Sequence, residues 1–116
     1  MQSIVYDIRL FFGDAAELMK LSATFEGGRD GAELLLDMHE CLARVLIFDY
    51  QELVLCLTEL RAVILDGGLN VDADNSFLLV TRIGADDMGC FNFEFDKEVL
   101  KLLVDMGLSL AFSASD

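Results

Sequence analysis

The segment DYQELVLCLTELRAVILDGG, residues 49–68, places the strongest demand on the architecture. It opens with Asp49 and carries Glu52 three positions on, the spacing of a capping box in which each side chain takes up a free backbone amide. It closes on Gly67 and Gly68, residues suited to a left-handed helix stop. Between them Leu53, Val54, Leu55, Cys56, Leu57, Leu60, Val63, Ile64 and Leu65 wrap almost the whole circumference. A helix apolar on nearly every side must be covered on more than one. Either it is a central helix sandwiched within its own chain, or its face of Leu53, Leu57, Leu60 and Ile64 also forms an oligomer or partner interface.

The rest of the chain sharpens that alternative. At 116 residues it is long enough for one real core, and residues 1–116 read as a single domain. A domain of this size leaves roughly a third of its unfolded-chain surface exposed. With 54% hydrophobic residues, the expectation is a homodimer or a bound partner. No apolar run approaches the ~18 residues of a membrane span, and MQSIVYDIRL lacks the basic start and long apolar stretch of a signal peptide. A soluble, cytoplasmic protein is expected. Cys41, Cys56 and Cys90 are odd in number, have no CxxC spacing and sit among apolar neighbours, which reads as buried reduced thiols.

On the amino-terminal side, Ile4, Tyr6, Ile8, Leu10 and Phe12 alternate with Val5, Asp7, Arg9 and Phe11. After GDAA the alternation resumes through Met19, Leu21, Ala23 and Phe25, which reads as a β-hairpin with one buried face. From Asp30 the spacing Leu34, Leu35, Met38, Leu42, Val45 is that of one helical face, predicting an amphipathic helix over 30–46. Beyond the double glycine, LNV adds a short strand, SFLLVTRIG reads as a strand, and GCFNFEF as another with Phe91, Phe93 and Phe95 on one face. Asp96 caps KEVLKLLVDM, Gly107 stops it, and LSLAFSAS alternates again. The predicted order is β-β-α-α-(β)-β-β-α-β. The economical arrangement is an α+β two-layer sandwich, a mainly antiparallel sheet with helices on one face and one parallel pair from the last strand-helix-strand unit.

Chemistry is hard to find in this sequence. NVDADNSF invites a calcium loop, yet from Asp72 the sixth position is Phe77 rather than glycine and the twelfth is Ile83 rather than glutamate. His39 is the only histidine, flanked by Asp37 and Glu40, and no catalytic triad assembles around it. Asp86 and Asp87 in GADDMG are an adjacent pair of the kind that serves a turn. The glycine clusters lack GxGxxG and GK[ST], so phosphate cradling has no support. No metal, cofactor or catalytic residue is assigned, and the protein is expected not to be an enzyme.

Charge is the more informative property. With 21 acidic and 8 basic side chains, the formal charge of −13 opposes direct binding to nucleic acid or to an anionic membrane. Between Asp66 and Asp96 seven acidic residues face the single Arg82. A strand over 76–83 would set Asp72 and Asp74 about 25 Å from Asp86 and Asp87. The chain would then gather Asp72, Asp74, Asp96 and Asp116 at one end of the sheet, where they invite a cationic partner.

The ending FNFEFDKEVLKLLVDMGLSLAFSAS resembles the strand-helix-strand close of small bacterial α+β domains. In size and acidity the whole chain is similar to toxin immunity proteins and phage-encoded inhibitors. That resemblance implies a non-enzymatic inhibitor or immunity-type protein that occludes a basic surface of a protein partner, including one that binds nucleic acid. The favoured contacts are Asp72, Asp74, Asp86, Asp87 and Asp96, with carboxylates steering association and an apolar patch holding it. A small acidic dimeric chaperone or adaptor is the second reading, and an enzyme of unknown type the third.

Overall fold

A computed structural model of the protein describes residues 3–25, 32–83 and 95–115. The elements run β1 (Ser3–Phe11), α1 (Ala15–Thr24), β2 (Ala32–Asp37), β3 (Leu42–Ile47), α2 (Tyr50–Gly67), β4 (Phe77–Ile83), α3 (Lys97–Met106) and β5 (Ser109–Ser115). The strands form one sheet in the order β2-β3-β1-β4-β5. All pairings are antiparallel except β4 with β5, which is parallel and joined through α3. The class is the expected α+β two-layer fold, with the helices on one face of the sheet. Its first six elements, β1-α1-β2-β3-α2-β4, have the split β-α-β arrangement, and α3 with β5 extends it by one unit.

The first half departs from the expected element order. Residues 15–24 are a helix rather than the second strand of a hairpin. Asp14 accepts a hydrogen bond from the Glu17 amide at 3.0 Å, and the buried residues are Leu18, Leu21 and Phe25, a helical spacing. Met19 and Ala23, the intended inward positions, face solvent. Residues 32–47 are in turn a hairpin rather than a helix. β3 buries Ala43, Val45 and Ile47 with strict alternation, and the Asp37 carboxylate closes the connecting turn by accepting from the Glu40 amide at 3.1 Å. Short apolar runs satisfy periods of 2 and 3.6 at once; pairing with β1 selects the strand for β3, and the Asp14 cap with inward Leu18 and Leu21 selects the helix for α1.

The second half follows the sequence closely. α2 starts at its Asp49 cap, whose side chain accepts from the Glu52 amide at 3.1 Å, and ends at Gly68 with φ 64°. Val71 adds a single antiparallel bridge to Phe12. α3 ends at Gly107 with φ 72°. Asp96 stands at its N-cap position, but its carboxylate makes no capping bond; its backbone amide donates to the Tyr50 hydroxyl at 3.1 Å instead. The expected strand at Gly89–Phe95 falls largely outside the described residues. Among those residues, no helix is long and apolar enough to cross a membrane.

Cross-strand register separates the two faces of the sheet. Tyr6, Ile8, Leu10, Val45, Ile47, Leu78 and Val80 point into the core, where they meet Leu18 and Leu21 of α1, Leu53, Leu57 and Leu60 of α2, and Val99 and Leu103 of α3. α2 is the middle helix and touches both others. The opposite face carries Val5, Asp7, Arg9, Phe11, Leu35, Leu42, Arg44, Leu46, Phe77 and Leu79, and no described helix covers it.

Candidate functional site

Strand direction decides which loops meet. β1 and β2 finish, and β3, β4 and β5 begin, at the same end of the sheet. There the Phe12 amide donates to the Cys41 carbonyl at 2.9 Å and the Asp72 amide to the Phe11 carbonyl at 2.8 Å, drawing the β2-β3 turn and the Asp72–Ser76 turn against the close of β1. The start of α1 joins them, because Glu17 accepts from the Asn70 amide at 3.2 Å. The end of α2 arrives through Leu69, whose amide donates to the Ile64 carbonyl at 3.0 Å.

The consequence is a concentration of carboxylates: Asp14, Glu17, Asp37, Glu40, Asp66, Asp72 and Asp74 all lie at this end. Some of them hold the loops in place. Asp72 accepts from the Asp74 amide at 3.1 Å and from the Asn75 side chain at 2.8 Å, and its carbonyl accepts from the Asn75 and Ser76 amides. Ser76, 1% exposed, ties the turn to the sheet, its hydroxyl accepting from the Phe11 amide at 2.9 Å. Asp14 and Asp37 cap their own turns. Asp74, Glu40 and Asp66 are exposed carboxylates, free to face another molecule. Met38, 46% exposed, sits between Asp37 and Glu40 as an apolar tip on the acidic end.

Asp72 and Asp74 are therefore together, as expected, but the company around them is different. Asp96 neighbours Tyr50, which follows β3 at the far end of the sheet, about 25 Å from Asp72 by the length of β1. The expected gathering of Asp96 with Asp72 and Asp74 is thus corrected: β4 carries the chain away from the turn, and α3 is the element that brings it back. Asp86, Asp87 and Asp116 lie outside the described residues. Asp14, Glu17, Asp37 and Glu40 were missed because their segments were assigned the wrong secondary structure. The spacing Asp14 to Glu17, an acidic cap with glutamate three positions on, was the signal that would have found the first two.

The proposed oligomer-interface residues are also placed. Leu53, Leu57 and Leu60 are fully buried and Ile64 is 5% exposed, all within the core of their own chain. Their surface is used up by the sheet and the neighbouring helices, so they offer none to a second molecule. The large apolar residues that α2 leaves exposed are Leu55 and Leu65.

Two further features complete the surface. A cleft of about 460 Å³ opens between α1 and the end of α2, walled by Val63 and Leu69 and edged by Lys20, Thr24 and Asp66. On the uncovered sheet face, Asp7 is 5% exposed and receives two arginines. Arg9 contacts its Oδ2 through Nε and Nη2, both at 3.0 Å, and Arg44 contacts the same oxygen through Nη2 at 2.8 Å. The bond to Asp7 raises the Arg44 guanidinium above its ordinary value. Arg9 also lies over the Phe77 ring, 5.4 Å from its centroid. Among the described residues, no three His, Cys, Asp or Glu side chains converge as metal ligands. No protein-family model matches the chain, and neither a curated protein nor a solved structure matches it.

Proposed function

We propose that the protein is a non-enzymatic acidic binding protein, of inhibitor or immunity type, that occludes a basic surface of a protein partner through the acidic end of its sheet. The observation that carries this reading is the convergence of four separate segments, each bringing carboxylates, onto that end. A hydrogen-bonded loop scaffold supports them. Asp74 and Glu40 stand on turns closed by the Asp72 and Asp37 carboxylates, so the backbone that presents them needs little ordering on meeting a cationic partner, which lowers the cost of association. Their summed field steers encounter. Exposed Met38 supplies an apolar anchor within the charged rim.

The test is capture from cells of the native source, with mass spectrometry, using the wild type and an Asp74→Asn/Glu40→Gln/Asp66→Asn variant that leaves the turn-closing bonds intact. The wild type is expected to recover one basic protein and the variant to lose it. With the purified partner, the association rate should fall roughly tenfold or more between low and high salt. A salt-insensitive rate, or equal recovery by the variant, removes this assignment of the acidic end.

A further inference from the structure

We propose that the face of the sheet that no described helix covers is an isologous interface, through which two copies of this chain stack sheet on sheet about a two-fold axis running along β1. The uncovered face of an antiparallel sheet ordinarily alternates to polar residues. Here its middle three strands instead carry Val5, Phe11, Leu42, Leu46, Phe77 and Leu79. Five strands spaced ~4.8 Å apart and about six residues deep give a plan area near 500 Å² on each copy, roughly 1,000 Å² for the pair. Corrugation by side chains takes the accessible area beyond the ~1,000 Å² that separates a specific interface from an incidental one.

The occupant is read from how the face is graded. Its charges are concentrated at the centre, where Arg9 and Arg44 enclose Asp7, and on the edge strand β2, where Glu33 and Asp37 flank Leu35. The other edge, β5, carries small residues at the matching register positions, among them Ser109, Ala111 and Ser113. β1 is the third of five strands. A two-fold axis along it lays the β2 edge of each copy over the β5 edge of the other, large residues over small ones. Register gives the details: Glu33, Leu46, Asp7, Leu79 and Ala111 lie in one row across the sheet. Glu33 then meets the partner copy's row at Ala111, beside serine hydroxyls that can donate to it, and Leu46 meets Leu79. In the next row Arg44 comes over the second copy's Phe77, repeating the contact that Arg9 already makes. On the axis Asp7 and Arg9 face their own counterparts in the second copy, so the match between copies comes from the flanking strands and the edges, large residues over small ones.

The experiment is sedimentation equilibrium of the full chain up to about 100 µM, at low and high salt. A dimer that persists or tightens as salt rises is expected, since screening relieves repulsion between two acidic molecules. Ala111→Glu sets a carboxylate against Glu33 of the other copy and should weaken the dimer roughly tenfold or more, and Glu33→Lys/Ala111→Glu should restore it. Val104→Lys, on the outer side of α3, should change nothing. Circular dichroism checks each fold, and Leu35→Lys, at a site 38% exposed, serves in place of any variant that does not fold. A monomer throughout, no rescue by the paired exchange, or dissociation by Val104→Lys alone overturns the proposal. All of this is measured without the partner, so failure here leaves the reading of the acidic end to its own test.

Discussion

Asp7 shows how much one side chain can determine. It is nearly sealed, yet it belongs to the uncovered face, and both arginines that close over it are about a third exposed, at 33% and 36%. Removing the acid leaves two guanidiniums crowded together without their counter-charge, whereas removing one base leaves the other still paired. Asp7→Asn is therefore expected to cost about 2–3 kcal/mol in urea denaturation. Arg9→Met should cost under about 1 kcal/mol, as an exposed pair does. Tyr6 makes a second prediction at this scale. Burial, reinforced by Tyr50 and then Asp49, pushes its hydroxyl up to about 12 from an ordinary 10.0. Between those values the unfolded chain has released the proton and the folded chain retains it, so stability falls as pH rises from 10 towards 12. Tyr6→Phe should flatten that alkaline loss in a pH series of thermal melts; an unchanged slope would assign it elsewhere.

At the level of elements, the helix ends separate positions that look alike in sequence. Asp49 and Asp96 both precede helices, but only Asp49 bonds a free amide. Asp49→Ala should lower stability by about 1 kcal/mol and Asp96→Ala by a few tenths. Gly107→Ala should cost more than Gly68→Ala: both have positive φ, but only at Gly107 would the new Cβ meet a neighbour, Ala73 Cβ at 3.1 Å. Chemical denaturation reads all four. These caps explain why α2, α3 and their boundaries were plain in the sequence, each being written in adjacent residues. The split β-α-β order was not. LLLDMHECLARV has apolar residues at both periods, and its outcome depends on β1, some 35 residues earlier, accepting β3 as a partner. The candidate site suffered the same loss. Asp72 and Asp74 were visible as a turn, while Asp14, Glu17, Asp37 and Glu40 reach them only through the strand directions.

For the molecule as a whole, charge and sheet make separate demands. Seven carboxylates gathered at one end repel one another, so the folded state should gain from screening. The melting temperature is expected to rise by a few degrees on moving from low to moderate salt, and a flat or falling trend in calorimetry would remove self-repulsion from the account. The sheet order carries a consequence for biosynthesis. β1 is the middle strand, and both strands that flank it, β3 and β4, lie later in the chain, the second completed only at Ile83. On the ribosome, the central strand of the sheet therefore emerges before both of its neighbours and waits longest for them. Its exposed edges pass through a period in which chaperones, or another nascent copy, can reach them before its own chain does.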